Sequence, residues 1–189
     1  MMNIKFKPAF RAFTLFALLI GAAFLNQTTA QTSASAQKSN DEAFAKMQTA
    51  HAAALRTWLA AKPNLRPATE ADCTNKDGLK LQRSGDAKYQ PYYFPGDFNG
   101  DRQTDFAVAL VDSKKAKDKG FALVIFNGGK SGFRQAHFQS NLDLRRSGLF
   151  FFGEKPERLA VGEFQTDDCG YFKWSGGKYV AENCAGGEN

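Results

Sequence analysis

Phe106-Ala107-Val108-Ala109-Leu110-Val111 and, after a nine-residue link, Phe121-Ala122-Leu123-Val124-Ile125-Phe126 are two runs without a polar side chain. Successive side chains of a strand point to opposite faces, so runs apolar at every position belong to strands buried on both sides. These two strands therefore read as the centre of a sheet. Arg134 to Gln139 alternates instead, with Ala136 and Phe138 on one face and His137 on the other, as in a strand with one wet side. Gly148–Phe152, Arg158–Phe164, Gly170–Trp174 and Lys178–Asn183 follow, separated by the turn-rich segments 154–157 and 165–168 and by Gly176-Gly177. Links this short favour antiparallel neighbours, because parallel pairing needs long crossovers.

Upstream of the strands the period is helical. Ser39 and Glu42 have the spacing of a capping box. Phe44, Met47, Leu55, Trp58 and Leu59 then recur at helical intervals, and Pro63 sets the limit. One amphipathic helix is expected over 40–61, with His51 near its stripe as a packed residue, and a short second helix near Leu79 to Arg83. The expected fold class is α+β: an N-terminal amphipathic helix packed on a mainly antiparallel β-meander of about six or seven strands.

The first 30 residues have the anatomy of a secretory signal peptide. Lys5, Lys7 and Arg11 are followed by an apolar run from Ala12 to Leu25 interrupted by Thr14 and Gly21, and then by small residues at Thr28 and Ala30. Fourteen residues are too few for a membrane span, which needs about 18 or more, and no cysteine near the site can carry a lipid. Cleavage is expected after Ala30, giving a periplasmic or secreted protein with no membrane anchor. Residues 31–38 read as a disordered tether, and 39–189 as a single domain.

Removing residues 1–30 takes away three basic residues and no acidic ones, so the formal charge falls from +6 to +3. That gives no reason to expect a nucleic-acid partner. The densest basic run, Lys114, Lys115, Lys117 and Lys119, reads as a solvated turn.

Three cysteines are present. If Gly176-Gly177 forms a two-residue turn of the primed type, Trp174 faces Tyr179 and counting on brings Cys169 opposite Cys184. Opposed residues on antiparallel strands lie within disulfide reach, although this pair falls on a hydrogen-bonded site of the ladder. An exported protein occupies an oxidising compartment. A competing bond from Cys73 to Cys169 remains open, since spacing alone does not fix connectivity.

The specific chemistry lies in Asp97-Phe98-Asn99-Gly100-Asp101-Arg102-Gln103-Thr104-Asp105. Asp97, Asn99, Asp101 and Asp105 turn several hard oxygens inward, and Gln103 adds a backbone carbonyl, a donor set that suits calcium. An EF-hand would need a glutamate where Val108 stands, inside a strand. The stretch Gly96–Leu110 resembles, in a single copy, the calcium loop of FG-GAP and VCBS-type repeats, in which Asp-x-Asn-x-Asp-Gly-x-x-Asp runs directly into a hydrophobic strand. The resemblance implies a calcium loop and one β-unit, not a propeller, because a ring needs several repeats. Arg102 departs from the pattern, standing where a Gly usually supplies a left-handed turn. The alternative is a calcium-free turn built from Asp and Asn side chains bonding their own backbone.

Gly128-Gly129-Lys130-Ser131-Gly132 lacks the leading glycine of a phosphate-binding loop and reads as a hairpin turn. Two functional classes stay open. One is a noncatalytic envelope or secreted module whose calcium stiffens a loop and whose sheet binds another protein or a glycan. The other is a small exported hydrolase using carboxylates as general acid and base, drawn from Asp97 to Asp105 or from Asp167 and Asp168. An enzyme would show convergent carboxylates in a pocket; a binding module would show a shallow apolar face, for which Phe150-Phe151-Phe152 is one candidate.

Overall fold

The computed structural model describes residues 40–152 and 158–184, with Phe152 described by its backbone alone. The expected signal peptide, tether and Ser39 cap lie outside the described residues. The described chain is mostly antiparallel β-structure in two sheets, with few helices. After a helical segment at 40–45 come α1 (Thr49–Leu59), β1 (Leu65–Pro67), α2 (Lys76–Gly85), β2 (Tyr93–Gly96), β3 (Asp105–Asp112), β4 (Phe121–Asn127) and β5 (Arg134–Leu142). The chain continues through β6 (Ser147–Phe152), β7 (Arg158–Glu163), β8 (Cys169–Ser175) and β9 (Lys178–Asn183).

The seven strands expected from Phe106 onward all form, but not as one meander. The first sheet has the order β1-β3-β4-β5, with β2 sharing the outer edge of β3 beside β1; the second is β6-β7-β8-β9. The segment 143–146 carries the chain from one sheet to the other. Two strands were not among those expected: β1 and β2 are short and contain Pro67 and Pro95, which confine a strand to an edge.

The two layers explain the doubly apolar runs. Phe106, Val108, Leu110, Ala122, Val124 and Phe126 pack with Ala52 and Leu55 of α1, with Met47 and Trp58 against them. The alternate residues Ala107, Leu123 and Ile125 pack with Leu149, Leu159, Phe172 and Tyr179 of the second sheet. β3 and β4 are thus central, as the pattern requires, and each fully buried Leu, Ile or Val contributes about 1.5–3 kcal/mol. A third cluster, including Leu79, Tyr89, Tyr92, Phe121, Leu144 and Phe164, seats α2.

The helix expected over 40–61 is interrupted. Gln48 takes an extended conformation (φ −59°, ψ 142°), and its N–H donates to Tyr93 Oη at 3.3 Å. Lys46 O accepts from the Gln90 side chain at 3.0 Å. Backbone groups freed by the break are therefore satisfied by the β2 region, which removes the usual penalty for ending a helix. His51 is buried, stacked on Phe106 with ring centroids 4.4 Å apart, and its Nδ1 lies 2.7 Å from Tyr93 Oη. Burial lowers its pKa. It is a packed histidine.

In the last hairpin Ser175 faces Lys178 and Trp174 faces Tyr179. The register brings Cys169 and Cys184 together with Cα atoms 5.3 Å apart in a disulfide, and Cys184 N–H donates to Cys169 O at 2.9 Å, marking the hydrogen-bonded site. The competing Cys73 to Cys169 bond is not formed; Cys73 is a buried free thiol. Phe150 stacks on Tyr89 at 5.4 Å, whereas Phe151 is half exposed.

Candidate functional site

β2 and β3 pair with Gly96 opposite Asp105, so residues 97–104 form the connecting loop. Short polar side chains hold it. Asp97 accepts from Gly100 N–H (Oδ1, 2.9 Å) and Arg102 N–H (Oδ2, 2.9 Å). Asn99 Oδ1 accepts from Asp101 N–H at 2.9 Å, Asp101 Oδ1 from Gln103 N–H at 2.8 Å, and Asn99 Nδ2 donates to Asp101 Oδ2 at 3.1 Å. Each bond spans two to five residues, the local bonding for which Asp and Asn are favoured in turns. Arg102 has φ 67°, so it occupies the left-handed conformation that the resembled pattern gives to glycine. Gly100, at φ 79°, is the other left-handed residue of the loop.

The five expected metal-site residues are brought together in two tiers. Asp97, Asn99, Asp101 and Gln103 lie on the loop, half-buried or exposed. Asp105 lies beneath it, fully buried. Its Oδ2 accepts from Phe98 N–H at 3.0 Å and Asn99 N–H at 3.3 Å, and its Oδ1 accepts from Gly128 N–H at 2.8 Å. Burial pushes its pKa up to about 6, against the opposing pull of these N–H donors.

Three further residues belong to this end of the molecule. Gly128 approaches so closely that a Cβ there would sit 2.3 Å from Thr104 O, so the turn after β4 is glycine for packing reasons. Asn127 is buried and its Oδ1 accepts from Tyr179 Oη at 2.7 Å; Tyr179 Oη also lies 3.5 Å from Asp105 Oδ2. Burial beside Asp105 raises the Tyr179 pKa, keeping the phenol protonated. Sequence reading assigned Gly128 to a turn and Tyr179 to a strand; nothing in the chain's order joins them to a carboxylate 23 and 74 residues away.

Oxygen-only donors in a tight loop fit a hard cation such as calcium in chemistry. In the conformation described, several of those oxygens accept loop N–H groups, and among the described residues no group of three or more His, Cys, Asp or Glu is arranged to hold a metal ion.

The carboxylates weighed for acid–base work are placed as follows. Asp105 has no surface with which to meet a substrate. Asp167 and Asp168 are exposed in the turn between β7 and β8. They line an open groove of about 670 Å³ that also includes Asp143, Glu163 and the Cys169–Cys184 disulfide. Asp143 and Glu163 are paired there with Arg145 at 2.5 Å and Arg146 at 2.6 Å. No protein-family model matches the chain, and neither curated proteins nor solved structures give a significant match to it.

Proposed function

We propose that this protein is an exported, noncatalytic α+β binding or structural module of the cell envelope, with a calcium-stabilised loop at 97–105 like that of FG-GAP and VCBS-type repeats. The reading is carried by one observation: Asp97, Asn99 and Asp101 fold onto consecutive amides of a single loop, above a buried Asp105 that is tied to the sheet. Two carboxylates, Asp97 half-buried and Asp101 exposed, are thereby gathered with an amide oxygen on the loop, with the Gln103 carbonyl beside them, and their repulsion favours a divalent cation. The Lys5–Ala30 pattern supports export, and half-exposed Phe138 and Phe151 offer apolar sheet surface to a protein or glycan.

Calcium then stabilises the folded chain by mass action. For a dissociation constant of about 0.1 to 1 mM, as in extracellular modules, 10 mM calcium raises stability by roughly 1.4 to 2.7 kcal/mol. Thermal unfolding with and without calcium, on wild type and Asp101→Ala, tests it. The shift should be present in the first and absent in the second. A wild-type chain with neither a thermal shift nor heat in calorimetry is a calcium-free turn, with Arg102 offsetting the carboxylates.

A further inference from the structure

The Asp105 carboxylate touches three segments that are distant in the chain. Two of its donors, Phe98 and Asn99 N–H, come from the 97–104 loop, and the third, Gly128 N–H, from the turn after β4. The neighbouring Asn127 side chain is held in turn by Tyr179 of β9, in the other sheet. A phenol has one hydrogen to donate. The 2.7 Å contact to Asn127 takes it in preference to the 3.5 Å approach to Asp105, so the link from loop to second sheet runs through residues 127 and 128.

These groups are buried: Asp105, Asn127, Phe98 and Tyr179 are all at or below 5 % exposure. Water is therefore a poor substitute for any lost partner, and an opened member leaves its neighbours unsatisfied. Phe98 adds an apolar tie, packing in the same inter-sheet cluster as Tyr179, Phe172 and Leu123.

We propose that Asp105 is an internal strut, and that through it the order of the 97–104 loop and the seating of the β8–β9 hairpin form one cooperative unit. The strut role assigns cation binding to the loop tier above it, Asp97, Asn99, Asp101 and the Gln103 carbonyl; this part rests on the calcium reading, whereas the coupling does not. Any ligand that orders the loop thereby stiffens β9, and any partner that grips β9 orders the loop, since coupling between sites is reciprocal. Asp105 is a positioning residue here, acting through the amides it holds.

Amide hydrogen exchange on the full mature chain in chelator tests the coupling without a cation. Tyr179→Phe removes one hydroxyl and keeps the ring in its apolar cluster. It should speed exchange of the Phe98, Asn99 and Gly128 amides by about tenfold, the size expected for losing one buried hydrogen bond that supports a local opening. Asp105→Asn should reciprocally speed exchange in β9. If acceleration in Tyr179→Phe stays within 169–183 while the three loop amides keep wild-type rates, the coupling is wrong. Should Asp105→Asn fail to fold, Tyr179→Phe alone decides that question. Calcium calorimetry on Tyr179→Phe and Asp101→Ala separates the two readings. A severalfold weakening in the first and loss in the second supports both, and unchanged affinity in the first overturns the coupling. Absence of binding in wild type overturns the calcium loop, leaving the exchange rates to judge the coupling.

Discussion

Two carboxylates at different places in the fold show opposite ways of being held. Glu70, in a turn between β1 and α2, is partly exposed and pairs with Arg83 at 2.5 Å and Lys46 at 2.6 Å. These partners, the Arg83 hydrogen bond foremost, pull its pKa down to about 2. Asp105 is fully buried and accepts from the backbone N–H groups of Phe98, Asn99 and Gly128, with no ion-pair partner among the described residues. Burial wins there and the pKa rises to about 6. A surface carboxylate can be stabilised by charge and still contribute little, because water competes for both partners. An interior one can be costly to ionise and yet indispensable, because the amides it caps have no alternative.

The largest effect that can break this contrast is removal of the interior group. Asp105→Ala should lower stability by about 3 kcal/mol, since it leaves at least two buried backbone donors without acceptors. Urea unfolding in chelator measures it, and a loss below about 1 kcal/mol would mean the amides find other acceptors.

Next in size is the pH dependence. A carboxyl group whose folded pKa is raised binds more protons in the folded chain, so its stability contribution is complete below the unfolded pKa near 4 and is lost as pH rises through about 6. That amounts to a decline on the order of 2.7 kcal/mol, two pKa units at about 1.36 kcal/mol each. Glu70 runs the other way: its contribution is present above the unfolded value near 4.5 and is lost as pH falls toward about 2. Stability measured by urea titration across pH 2 to 7 in chelator should therefore pass through a maximum near pH 4 to 5 as far as these two groups decide it. In Asp105→Asn the upper decline should disappear while the acid limb remains.

Glu70→Gln is smaller, about 1 kcal/mol at neutral pH, because its side chain is 27 % exposed and the pairs are screened. It should flatten the acid limb alone, and high salt should reduce the difference from wild type. Smallest, and opposite in sign, is Arg102→Gly. The left-handed φ of 67° strains a side chain and suits glycine, so thermal unfolding should show a gain of about 0.5 to 1 kcal/mol. A loss would show that the Arg102 side chain stabilises the loop by more than its backbone costs.

Much of the strand layout was legible because its causes are local. Phe106–Val111 and Phe121–Phe126 are apolar at every position, which only a strand covered on both faces tolerates. Gly176 and Gly177, both left-handed, fix a two-residue turn, and counting from it sets Cys169 against Cys184. The interruption at Gln48 was not legible. Helical periodicity continues through it, and the competing acceptor, Tyr93 Oη, lies 45 residues away.

At the candidate site the division is the same. The amino-acid sequence by itself determined that 97–105 is a turn rich in inward-facing oxygens, because alternate Asp and Asn bond amides within five residues of themselves. Only the tertiary structure decided that Asp105 differs from the other members of that set. Its burial, its raised pKa and its link to Tyr179 depend on a turn and a strand from elsewhere in the chain. The spacing of side chains along the backbone fixes which of them can meet within a loop; which ones lose their water is fixed by the layers that close over them.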